Sequence, residues 1–291
     1  AEQQVAEAKR AGATFIKVFS SISEPAWQAL RRSARANGLD YAGHVPARVS
    51  LLDSARAGQR SGEHLTQDNE ACTPIESEVI VARPQLAGEP LMDLRIAQDL
   101  PVLQAYDQAL CDHVARELAT TGQVQVPTMV LAHAEVQLLP ADRQHDPQFR
   151  QAPADVRERW NGILATLPAA PSDLSVQKWK ATLALVATLH RAGVPLMAGT
   201  DAPSPLVYPG HALHLELALL VEAGLSPAEA LRAATLVPAR YLGIADESGT
   251  IAVGKRADLV LLDADPLQNI ANTRRIHAVL LGGKVVVSGP E

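Results

Sequence analysis

The sequence predicts an α/β fold: parallel buried strands alternate with helices, and a small β element follows them. Three observations carry this. Short apolar or β-branched runs alternate with helix-period segments over most of the chain, and glycines stand where the helices should end. The runs are continuously apolar, as in strands covered on both faces. From Gly249 the composition shifts to strand-rich segments around a Gly-Gly pair at 282–283, a hairpin signal.

In chain order, "AEQQVAEAKRAGA" reads as a helix closed by Gly12. It has no basic n-region, apolar h-region or cleavage site. "TFIKVF" (14–19) reads as the first strand, followed by a helix from about Pro25 to Asn37 that Gly38 closes. "DYAGH" (40–44) is the second strand, "RVSLLDSARAG" a helix ended by Gly58, and "SGEHL" (61–65) the third strand. A long excursion over 66–122 holds helices near 91–99 and 101–120, and "VQVPTMVL" (124–131) is the fourth strand. A second excursion, 132–172, is rich in Pro, Gln and Asp. After it come the helix "LSVQKWKATLALVATLHRAG" and the strand "VPLMAG" (194–199). Both excursions leave from strand C-termini, where α/β proteins build their sites, and read as substrate caps. "GHALHLELALLVEAG" and "SPAEALRAATLVPARYLG" are helical, with Ser226, Pro227 and Glu229 spelling a capping box. The predicted division is an α/β body over 1–248 and a β segment over 249–291, too small to stand alone.

The bulk properties exclude some functions. Net charge is −6 with no long basic run, which argues against nucleic-acid binding. No run of about 18 apolar residues marks a membrane span. Cys72 and Cys111 are far apart and form no CxxC pair, so they read as buried free thiols.

The strand tips carry the chemistry. The first strand holds Lys17, the second ends on His44, the third on His64 and the last on Asp201. Taken singly, each has a structural alternative: an ion-paired lysine, hydrogen-bonded core histidines, a turn or cap aspartate. Together, at equivalent strand ends that would converge on one mouth in a closed parallel barrel, they form a set suited to zinc and other divalent metals. His211 and His214, three apart in "GHALHLEL" on one helix face, could be a ligand pair or supporting or capping groups. His133 and Tyr208 read as substrate contacts.

The chain resembles metal-dependent amidohydrolases of the imidazolonepropionase-like and prolidase-like branch. The resemblance rests on "IKVF", "GHVP", "SGEHL", "PTMVL", "GVPLMAGTDAP", "AGLSPAEALRAATLVPARYLG" and "GTIAVGKRADLVLLDADPLQNI". It implies a partial (β/α)8 TIM barrel, strands 4–8, with the C-terminal part of a small β-sandwich. It also implies a C–N bond hydrolase using a metal-activated hydroxide, with divalent metal, usually zinc, two ions in the complete site. By this resemblance Lys17, when carboxylated, bridges the metals, His44 and His64 are ligands, and Asp201 ligates metal and handles the proton. The substrate class it implies is a small amide, cyclic amide or dipeptide-like molecule.

The family pattern also contains a His-X-His pair on the first barrel strand, and none occurs in this chain. The sequence therefore reads as a fragment with an incomplete metal site, with little activity and poor solubility expected alone. Two alternatives stay open: a catalytically inactive remnant, or one subunit of a split enzyme acting with a complementing N-terminal half. A homo-oligomer is compatible with all three. The expected compartment is cytoplasmic by default, with a secreted parent left open.

Overall fold

Four short strands pair in parallel in the order in which they occur along the chain. The computed structural model describes residues 2–83, 89–136, 147–165 and 171–288. Helix α1 (Glu2–Arg10) precedes β1 (Phe15–Val18). Helix α2 (Glu24–Ala36) starts at Ser23, whose side chain accepts from the Ala26 amide, and buries Trp27, Leu30 and Ala34. Strand β2 (Asp40–Gly43) leads to α3 (Leu51–Arg56), capped by Ser50, and then to β3 (Ser61–Glu63). The first excursion folds as α4 (Asp68–Ala71), α5 (Glu76–Ala82), α6 (Glu89–Gln104) and α7 (Gln108–Thr121). Its helix break lies at 105–107 rather than near 100, because Pro101 is accommodated inside α6 and Asp107 caps α7 by accepting from Leu110.

Strand β4 (Val124–Val126) is shorter than expected. Pro127 has no amide hydrogen for the ladder, Thr128 turns to a φ of 47°, and the remaining apolar residues continue as α8 (Met129–Val136). An unbroken apolar run does not by itself separate strand from buried helix. "VPLMAG" also departs from expectation. Pro195 accepts a hydrogen bond from Gln125 (2.9 Å), but strand pairing beyond it shrinks to a single bridge residue, Leu196. Proline at 195 removes the donor that a continued ladder needs.

The cysteines correct the sequence reading: Cys72 and Cys111 form a disulfide, with Cα atoms 4.2 Å apart. Cys72 follows the last turn of α4, Cys111 lies in the first turns of α7, and the Asp107 amide donates to the Cys72 carbonyl at 2.9 Å. That backbone contact brings together thiols 39 residues apart in sequence.

The chain further contains α9 (Pro147–Gln151), α10 (Ala154–Leu164), α11 (Asp173–Arg191), α12 (His211–Glu222), α13 (Pro227–Ala234) and α14 (Leu236–Tyr241). The expected capping box is present, with Ser226 and Glu229 each bonding the other's backbone amide. Strands β5 (Leu259–Leu262), β6 (Ile276–Leu281) and β7 (Lys284–Ser288) form an antiparallel sheet, β6 and β7 joined through Gly282 and Gly283, both at positive φ.

Two compact units result: residues 1–127 with 177–195, and residues 128–176 with 196–291. The first has its core in Val18, Tyr41, Val45, Leu51, Leu118, Leu185 and Leu189. The division expected near 248 falls inside the second unit. Of the second excursion, 137–146 and 166–170 lie outside the described residues.

Candidate metal centre

Parallel register places the first set of tips side by side. Lys17 pairs with Ala42, Val18 with Gly43, Gly43 with Gly62, and Glu63 with Val126. Beyond the strand ends, the His44 amide donates to Val18 (3.0 Å) and the His64 amide to Val126 (2.9 Å), so each histidine is held by its neighbour's backbone. Only glycine fits at 43: its φ is +118°, and a Cβ would lie 2.5 Å from the Val18 carbonyl oxygen and 3.0 Å from Cδ of Lys17.

Along a regular strand, Glu63 and His64 would point to opposite faces. Instead His64 and Leu65 have φ values of 66° and 50°, left-handed conformations that non-glycine residues adopt at a cost. This turn brings the two side chains together, with Glu63 Oε2 3.9 Å from His64 Nε2. The His44 and His64 rings meet edge to face with centroids 4.7 Å apart. Lys17 Nζ is ion-paired with the same Glu63 oxygen. Ser20 Oγ lies 2.8 Å from His44 Nδ1, and the Phe19 ring is 4.7 Å from that imidazole.

A buried glutamine secures the tip. Gln59 Nε2 donates toward the carbonyls of Gly43 (3.0 Å), His44 (3.1 Å) and Ser61 (3.0 Å), and the Gln59 carbonyl accepts from Gln123 Nε2 at 3.0 Å. Among the described residues, His44, Glu63 and His64 offer ligand atoms that all lie within 4.8 Å of one another. Two imidazoles and a carboxylate are the donors that divalent first-row metals take, so the residues fit a metal.

The remaining predicted residues belong to the second unit. Asp201 is exposed, at a φ of 53°, and its carbonyl accepts from the amide and the hydroxyl of Ser204. His133 lies on α8, half-buried, and burial holds its imidazole below the ordinary range while the Glu222 charge opposes this. Helix α8 is anchored by Glu216 of α12, whose Oε2 accepts from the Val130 amide at 2.9 Å. Tyr208 packs edge to face on Trp160 (5.5 Å), beside Phe149, so the second excursion and the loop after Asp201 share an aromatic cluster. His214 Nδ1 lies 3.0 Å from Thr273 Oγ1.

Lys17, His44 and His64 are thus grouped within the first unit, while Asp201, His133 and Tyr208 lie in the second. The sequence reading missed Glu63, Ser20 and Gln59. Glu63 had a signal, its place beside His64 in "GEHL", which strand alternation argued against. Ser20 and Gln59 had none, because only the fold brings them to the β2 tip.

Residues 171–286 match the model of the amidohydrolase family. An imidazolonepropionase of Shouchella clausii is 31% identical over 181 residues, covering 60% of this chain and 37% of the relative. One of Geobacillus kaustophilus is 37% identical over 101 residues, covering 33% and 24%. Among solved structures, a bottromycin amidohydrolase superposes with a TM-score of 0.69 at 24% identity, over 98% of this chain and 59% of that one. A Xaa-Pro dipeptidase gives 0.58 at 19%, over 99% and 59%. The chain spans well under half of these curated relatives and about three-fifths of the solved chains. It carries the α/β fold of those structures, and over residues 171–286 its sequence is similar to the amidohydrolase family.

Proposed function

We propose that this chain carries part of the centre of a metal-dependent hydrolase that cleaves a C–N bond in a small amide, cyclic amide or dipeptide-like substrate. The observation that carries the proposal is the meeting of His44, Glu63 and His64 at adjacent tips of parallel strands, in a chain whose residues 171–286 match the amidohydrolase family. The metal is zinc, and when bound it lowers the pKa of water and polarises the scissile carbonyl. His44 and His64 hold it through imidazole nitrogen, and Lys17 contributes as a carboxylated, anionic ligand. Asp201 takes the proton of the attacking water and returns it to the leaving nitrogen. His133 and Tyr208 contact substrate. The Cys72–Cys111 disulfide supports an oxidising compartment for the protein.

The test pairs zinc content with amine release from acyl-dipeptides and cyclic amides, for the full-length protein that contains this chain and its Asp201→Asn variant. Amine release lost in the variant, with only a modest loss of zinc, is the expected result. Amine release that survives Asp201→Asn removes Asp201 from proton transfer. Zinc content unchanged by His44→Ala with His64→Ala removes the centre.

A further inference from the structure

Glu63 presents its carboxylate to two different cations. One is Lys17, ion-paired with Oε2. The other is any metal held by His44 and His64, because Glu63 completes the only described trio whose ligand atoms fall within 4.8 Å of one another. A single carboxylate oxygen cannot serve an ammonium and a divalent ion together without forcing two positive charges against each other. We infer that Glu63 is the third ligand of a one-metal site built from this chain's own residues, and that Lys17 in its ammonium form competes with the metal for it.

This rests on the metal-centre reading above and describes the uncarboxylated chain, in which Lys17 is a cation; the carboxylated lysine of that reading has no positive charge with which to compete. Exposure indicates which partner yields. The Lys17 side chain is 42% exposed, whereas those of Glu63 and His64 are 18% and 15% exposed. The lysine has solvent to swing into, and the ligand trio stays in place. Two histidines and a carboxylate also make a three-ligand set of the kind that leaves a coordination position open for water or substrate. The left-handed turn at His64 has a direct consequence here, since along a regular strand His64 would project to the face opposite Glu63.

Cobalt(II) titration of the metal-free chain, followed by visible absorption against a competing chelator, tests the inference. Wild type, Glu63→Gln, Lys17→Met and the double variant are compared, each with a circular-dichroism melt to establish folding. The wild type should bind one equivalent. Glu63→Gln should weaken binding about tenfold or more, and Lys17→Met should strengthen it. The double variant should stay at least about tenfold weaker than Lys17→Met alone. Glu63→Asp, which keeps the carboxylate, should bind more tightly than Glu63→Gln. If the double variant matches Lys17→Met, Glu63 only neutralises the lysine and the inference fails. Weaker binding by Lys17→Met makes Lys17 a ligand and likewise overturns it. A wild-type chain that binds no more cobalt than His44→Ala overturns the metal-centre reading itself.

Discussion

Ser20 Oγ and His44 Nδ1 lie 2.8 Å apart, so the loop after β1 fixes the imidazole that follows β2. A hydrogen bond at Nδ1 leaves Nε2 as the nitrogen available to a metal and holds the ring in one orientation. Replacing Ser20 with Ala should therefore weaken zinc affinity about tenfold while leaving the fold intact. A chelator-competition titration checks this, and equal affinity in the variant would show that the hydroxyl plays no part in positioning His44.

Gln59 acts on the same tip through the backbone. Its amide nitrogen bridges the carbonyls of Gly43, His44 and Ser61 in a fully buried position. Gln59→Leu keeps the approximate volume but leaves buried acceptors without a donor, at an expected cost of about 1–3 kcal/mol. Urea unfolding measures that loss, and zinc affinity should fall with it because the carbonyl of His44 is released. An unchanged midpoint would mean that the strand ends do not depend on this side chain.

Two buried acids predict how stability varies with pH. Burial pushes Glu216 up to about 8, against the amide donors of Val130 and Met129. Burial, reinforced by the Glu70 charge, pushes Asp68 up to about 7. In the unfolded chain these groups ionise near 4.5 and 3.8, so between those values and the raised ones the native state holds more protons. Stability contributed in this way is fully present below the unfolded values and is lost as pH rises to about 7 for Asp68 and about 8 for Glu216. Unfolding free energies measured across this range should decline with pH, and Glu216→Gln should flatten the upper part of the slope. A variant with the wild-type slope would assign that dependence to other groups.

The disulfide closes a loop of 39 residues around the first excursion. Loop-closure entropy for that length corresponds to about 4 kcal/mol. Reduction, or Cys72→Ser with Cys111→Ser, should lower the unfolding midpoint accordingly. The mass of the non-reduced chain should also be that of the oxidised pair. Two alkylatable thiols in the native, non-reduced protein would contradict the bond.

Local sequence determined what local physics controls. The Ser226–Glu229 capping box, the Gly282–Gly283 hairpin, the helix-terminating glycines and the parallel α/β class follow from propensity, spacing and positive-φ requirements within a few residues. The placing of Lys17, His44 and His64 at or near neighbouring strand ends followed in the same way, because a parallel sheet aligns them. Tertiary structure decided the rest. The run "PTMVL" leaves the strand at Pro127, and its Val130 amide donates to the carboxyl group of Glu216, 86 residues away. The pairing of Cys72 with Cys111 depended on how α4 meets α7. Glu63 entered the centre only because the chain turns left-handed at His64, and strand alternation in the sequence pointed it the other way. Patterns read from sequence follow regular geometry, and the donors that they missed lie where the backbone leaves it.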